Sequence, residues 1–204
     1  MFHLSGRMAR AQVTVRLAAI ALLFLMAAGG PVQAADPPDK RAFWLEIDLG
    51  AAQVHHNGHA PLEGVPANEQ PMPAGDDGAG YFKFSLGNMV NSHLALGLEV
   101  GGWVLRAGGS GGYGVSAVPA FVTARIYPFK KSSFHVRLAG GAVYWREDTP
   151  HGYNATGVGC EAGVGYDLRV FGPNHLTPFI LYSMARPGSI RMHTVTVGAG
   201  YGLW

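Results

Sequence analysis

Hydrophobic side chains recur at every second position over most of this chain, and beyond the first 34 residues no apolar run reaches twelve. Successive side chains of a strand point to opposite faces, so a period of two specifies β-strands. Membrane-spanning helices need about twenty consecutive apolar residues, which the chain does not offer there.

Eight segments carry the pattern. Arg41–Gly50 puts Phe43, Leu45, Ile47 and Leu49 on one face and Trp44, Glu46 and Asp48 on the other. Tyr81–Leu86, His93–Arg106, Val115–Tyr127 and Phe134–Trp145 repeat it, with Lys83, Glu99, Arg125 and Arg137 opposite the apolar side. In Ala155–Val170 the residues Val158, Cys160, Ala162, Val164, Tyr166 and Leu168 oppose Glu161, Asp167, Arg169 and three glycines. Leu176–Met184 is apolar on both faces and gives no orientation; Met192–Trp204 alternates again. The intervening stretches, His55–Ala79, Asn88–Ser92, Ala107–Tyr113, Pro128–Ser133, Arg146–Asn154, Phe171–Asn174 and Ala185–Arg191, alternate longer with shorter. Long loops on one side and short turns on the other predict an all-β fold, an eight-stranded antiparallel up-and-down transmembrane β-barrel, with both termini on the short-turn, periplasmic side.

The N-terminus is read apart from this fold. Arg7, Arg10 and Arg16 precede the apolar run Leu17–Ala28, a Gly-Gly-Pro break and Val32-Gln33-Ala34-Ala35. That order predicts a cleavable secretory signal over residues 1–34 and a single barrel domain over 35–204. Twelve residues of helix span roughly 18 Å, too short for a bilayer core. Three of the 15 Lys and Arg fall in the leader, leaving twelve against 13 Asp and Glu. A near-neutral mature chain excludes a nucleic-acid-binding stripe. A lone cysteine, Cys160, excludes an internal disulfide and reads as a small hydrophobe on the apolar face.

Which face meets lipid follows from the other one. A soluble barrel or sandwich turns its apolar face inward and needs a polar outside. Here the opposite face is Gly and Ala with Glu46, Asp48, Lys83, Glu99, Arg125, Arg137, Glu161, Asp167 and Arg169, five acids against four bases. Small residues and balanced charge suit a narrow lumen, where charges persist by pairing. The expected partners are Glu46, Glu99 and Glu161 for Arg125 and Arg137. Aromatics near strand ends predict interfacial girdles: Phe43, Trp44, Phe129, Phe134, Phe171 and Trp204 at one end, Tyr81, Phe82, Trp103, Tyr144, Trp145 and Tyr182 at the other.

Arg41–Ala51, the turn rhythm and the terminal Val195–Trp204 (VTVGAGYGLW) resemble the small outer-membrane barrels of the OmpA/OmpX type and the outer-membrane β-barrel domain family. The resemblance implies location in the outer membrane and a final aromatic recognised by the barrel-insertion machinery, here Trp204. Trp204 is out of step with the lipid-facing Tyr201 and Leu203, so Tyr201 shares that role. It also implies contact with outer-membrane lipid and lipopolysaccharide.

Three constellations invite chemistry. His55, His56 and His59 open the longest loop with imidazoles that could hold a metal, although no cysteine or fixed strand frames them. The rest of loop 55–79 is acidic, Pro-rich and lacks Lys and Arg, which suits contact with an extracellular partner. Ile180–Ser183 resembles the penultimate strand of the lipid A deacylases, with Ser183 at their serine. Leu181 replaces the basic histidine and no acid follows Asp167. A serine without base and orienting carboxylate is not activated, so no catalysis is expected. The glycine run 108–112 lacks the Lys-Ser/Thr of a phosphate loop. The sequence therefore points to a cofactor-free barrel with a closed lumen and a structural or surface-interaction role. A deacylase-like hydrolase and an OmpW-like narrow channel for small apolar molecules are the alternatives.

Overall fold

A computed structural model describes residues 43–58, 73–107, 113–129, 132–148, 153–171 and 173–203. The leader, His59, the glycine run and Trp204 lie outside the described residues.

Each alternating segment forms a strand: β1 Phe43–Gly58, β2 Pro73–Asn91, β3 Leu94–Ala107, β4 Tyr113–Ile126, β5 Phe134–Asp148, β6 Asn154–Tyr166, β7 Leu168–Phe171, β8 Asn174–Pro187 and β9 Met192–Leu203. Neighbours in sequence pair antiparallel except β6 with β7, β1 pairs with β9 and β6 with β8, so the sheet closes into an eight-stranded barrel. The ninth strand is not an extra stave. Gly165 pairs with Phe179 and Leu168 with Leu176, one unbroken register across Asp167. The ladder lapses where Pro178, which has no N–H, faces Tyr166. β6 and β7 are thus one stave, matching the single segment read from Ala155–Val170.

Two features differ from the sequence reading. β1 and β2 run on as a paired hairpin through His56↔Gly75 to Gly58↔Pro73, so both ends of 55–79 are strand and the connection shrinks to 59–72. The alternation of long and short connections also fails in the middle. Residues 127–133 between β4 and β5 outlast both neighbours, 108–112 and 149–153, because β3 to β6 extend farther than their apolar residues indicate. The β8–β9 connection is tight, with Gly188 in the left-handed region (φ 57°) and Ile190 N–H donating to Pro187 O at 3.1 Å.

The apolar face is outside. Leu49, Leu98, Val122 and Val158 are 57–71 % exposed, while Glu46, Asp48, Lys83 and Arg125 are fully buried. β8, apolar on both faces in sequence, turns His175, Thr177, Phe179, Leu181 and Ser183 inward and Ile180, Tyr182 and Met184 outward. An open sheet edge is absent from the closed ladder, as hydrocarbon surroundings require.

The girdle reading needs correction at four aromatics. Trp44, Tyr81, Trp103 and Trp145 are at most 3 % exposed and point into the lumen. Each shares the parity of a lumenal charge on its own strand, and parity outranks nearness to a strand end. Phe43, Phe82, Tyr144, Tyr182, Phe129 and Phe171 are exposed.

Candidate functional site

The barrel interior divides into three layers. At the end carrying the chain termini, Trp44, Met89, Ala95 and Tyr127 form a small apolar floor. Above it lies a charged layer, and the half toward 59–72 is filled by Tyr81, Trp103, Phe121, Val143, Trp145, Phe179, Leu181 and Met192.

The charged layer is cross-braced. Arg125 on β4 grips both oxygens of Glu46 on β1, Nη1 to Oε2 at 3.1 Å and Nη2 to Oε1, and its guanidinium lies 4.0 Å over the Trp44 ring. Arg137 on β5 reaches Asp48 at 2.8 Å, Glu99 at 2.6 Å and Glu161 at 3.7 Å. Lys83 on β2 donates to Glu99 at 3.0 Å and Glu161 at 2.5 Å. The pairs span the bore, so charge that would be prohibitive singly is neutralised in place. Glycine makes the room: a Cβ at Gly97 would stand 2.8 Å from Trp44 Cζ2, and one at Gly163 would enter the Leu181 side chain.

One residue of the charged set lies elsewhere. Arg169 keeps lumenal parity but sits on β7, where the stave has passed the rim, and its side chain is exposed. Sequence reasoning missed the polar residues that finish the network at this end. Thr177 Oγ1 lies 3.0 Å from Glu46 Oε2 and 2.9 Å from Asp167 Oδ1. His175 Nε2 lies 3.1 Å from Glu46 Oε2, and His135 Nδ1 3.6 Å from Asp167 Oδ1. Tyr127 OH donates to Asp167 Oδ2 at 3.0 Å. The signal for His135 was its parity with Arg137; His175 and Thr177 belong to the strand whose faces could not be told apart.

The aromatic half is packed edge against face. Tyr81 lies 6.2 Å from Trp103 and 5.9 Å from Phe179 between ring centroids, and Lys83 Nζ sits 5.4 Å from the Tyr81 ring. Trp103 Nε1 donates to Thr196 Oγ1 at 3.4 Å and Trp145 Nε1 to Glu147 Oε1 at 3.0 Å, so both indoles have their polar handle satisfied.

The histidine cluster read as a loop site does not assemble. His55 and His56 are consecutive in β1 and point to opposite sides of the wall. His55 is outside, Nδ1 2.6 Å from Asp76; His56 is buried inside, 3.2 Å from Asp77 and 6.0 Å from the Trp145 ring. His59 lies outside the described residues. The serine motif fares no better. Ser183 is buried and donates to Glu161 at 3.0 Å, with Leu181 packed in the apolar half. No imidazole is among the hydrogen-bond partners of Ser183 in the described residues. Tyr201 faces outward at 49 % exposure and Cys160 is exposed on the same outer surface.

Closed staves, an oily outside and a braced bore have solved counterparts. Neisserial surface protein A superposes with a TM-score of 0.51 at 14 % identity, over 81 % of this chain and 99 % of that one. Ail, the attachment invasion locus protein of Yersinia pestis, gives 0.51 at 13 % identity, over 78 % and 98 %. The fold is that of the small outer-membrane barrels. No family model and no curated sequence matches the chain. The likeness extends over nearly the whole of both solved chains.

Proposed function

We propose that the protein is exported by its N-terminal leader, is inserted in the bacterial outer membrane and serves there as a non-catalytic, closed barrel. Its role is envelope structure and contact with surface partners. The observation that carries this reading is the doubly obstructed bore. Lys83, Arg137 and their carboxylates brace it from wall to wall, and Tyr81, Trp103 and Trp145 fill the half beyond. Barrels of eight staves have interiors just wide enough for side chains, and here the side chains occupy them. That argues against the channel reading, and Ser183, buried and bonded to the ion-paired Glu161 rather than to an imidazole, argues against the hydrolase reading.

With the termini in the periplasm, the far end of the β1–β2 hairpin stands at the outer surface, where an extracellular partner would meet it. Arg146, Arg186 and Arg191, exposed at that end, suit the phosphates of lipopolysaccharide. Tyr201 and Trp204 supply the aromatic terminus for the insertion machinery. The test is planar-bilayer recording on protein extracted from outer membranes and shown folded by heat-modifiable gel mobility. The expected result is silence at all voltages; regular single-channel steps would overturn the closed-lumen role.

A further inference from the structure

The exposure of Arg169 upsets the charge balance of the interior. Five carboxylates of the charged layer are buried, Glu46, Asp48, Glu99, Glu161 and Asp167, against three buried bases, Lys83, Arg125 and Arg137. The described residues of this layer are therefore short of two positive charges when all its acids are ionised. A low-dielectric interior does not tolerate such an excess without a counter-charge.

The shortage is concentrated at one place. Lys83 and Arg137 serve Glu99, Glu161 and Asp48, whereas Arg125 grips Glu46 and the ion pair of Asp167 runs to His135. Between these two carboxylates stands the Thr177 hydroxyl, in contact with both. A hydroxyl has one proton to donate, so the second contact sets oxygen against oxygen. Two imidazoles face the same pair. His135 Nδ1 is buried without a hydrogen-bond partner and aims at Asp167 Oδ1.

We propose that Glu46, Asp167 and His175 bind a divalent metal ion of the zinc class at the terminus end of the lumen, with His135 beside Asp167 as a supporting group. Ligand atoms of Glu46, Asp167 and His175 all lie within 4.8 Å of one another. Zinc bonds of about 2.0–2.2 Å place adjacent donors of a tetrahedral site roughly 3.3 Å apart. The His175–Glu46 separation, 3.1 Å, is close to that edge. The outer contacts are already in position. Tyr127 holds Asp167 Oδ2, and Arg125 holds Glu46 through both its oxygens, so the two carboxylates are fixed in orientation. One imidazole nitrogen and two carboxylate oxygens with an open fourth position suit Zn²⁺ better than Ca²⁺ or Mg²⁺, which take oxygen. A single divalent ion also supplies the two missing charges. Protonation of both imidazoles would supply them too, and that is the rival the experiment separates.

The protein is extracted in detergent, stripped with chelator and titrated with Co²⁺, whose visible d–d bands report tetrahedral nitrogen–oxygen ligation, and with Zn²⁺ by calorimetry. We expect one equivalent to bind with tetrahedral bands. His175→Gln should abolish them and His135→Gln should weaken binding roughly tenfold or more. A His55→Ala/His59→Ala double variant, lacking the surface imidazoles, should bind as the parent does. Heat-modifiable mobility certifies that each variant is folded. Should the Gln variants not fold, the urea midpoint of the surface variant is compared with and without Zn²⁺, and a rise is expected. No Co²⁺ band, a band that survives His175→Gln, a signal that disappears with the surface histidines, or an unmoved midpoint would overturn the site and leave protonated imidazoles as the counter-charge.

Discussion

Lys83 on β2 meets Glu161 on β6, the stave diametrically across the barrel, at 2.5 Å. The same ammonium holds Glu99 at 3.0 Å, so one lysine ties three strands through the centre. Replacing it leaves two buried carboxylates to Arg137, which already pairs with Asp48. Lys83→Met is expected to cost about 3–5 kcal/mol of stability, the range for breaking a buried pair from one side. Urea titration of the protein in detergent measures it. Adding Glu161→Gln should restore part of the loss, since one surplus charge goes with it; a double variant no better than the single would mean that the pair carries no coupling.

The lipid-facing assignment predicts a strong asymmetry between adjacent positions. Val122 is 62 % exposed on the outer wall and Thr123 is buried in the bore. Val122→Arg should lose about 2–4 kcal/mol in lipid vesicles, as a guanidinium near mid-bilayer does. If the outer wall faced water, the substitution would be close to neutral.

Glycines divide by what surrounds them. At Gly97 an added methyl would press on Trp44 and on the Leu86 carbonyl oxygen, whereas at Gly80 it meets nothing within 4 Å. Gly97→Ala should destabilise by about 1–3 kcal/mol, the range for overpacking. Gly80→Ala should be neutral or stabilising by up to about 1 kcal/mol through the unfolded chain. Thermal unfolding of the two variants side by side decides, and equal effects would contradict the packing around Trp44.

Closure by two layers predicts that neither opens alone. Trp103→Ala/Trp145→Ala removes both indoles of the aromatic half but leaves the Lys83–Glu161 and Arg137–Asp48 braces. Conductance in planar bilayers should stay at baseline for that variant. It should appear only when Lys83→Ala and Glu161→Ala are added to it.

Much of this architecture was legible because a period of two survives any detail of packing. Phe43 through Leu49 and Val158 through Leu168 fixed which side of each stave is oily, and the stave interrupted by Pro178 was visible as one segment. Strand length was not legible where polar residues continue the ladder: His55, His56 and Asp76 belong to strands yet look like loop. The misplaced aromatics show a conflict between two cues. Trp44 follows Glu46 inward by parity, while its place near a strand end suggests an interface; the pleat fixes direction, and end position does not. Partner choice across the bore was only half visible. Arg125 and Arg137 were the evident counter-ions, but which acid each takes depends on the tilt and stagger of staves, which no local pattern encodes. Asp167 with His135 and His175 came together through that same geometry, from three separate strand ends.

The ion pairs join staves that are remote around the circumference: Glu46 and Asp48 belong to the first stave, Arg125 and Arg137 to the fourth and fifth. A flat or half-curled ribbon holds these groups too far apart to touch, so they stay hydrated until the first and last staves zip. Desolvation of the interior and sealing of the seam are thereby one event, and lipid can accept the molecule only after the ring has shut. The polar filling thus acts as a proof of closure: a chain caught midway keeps its affinity for water and remains deliverable.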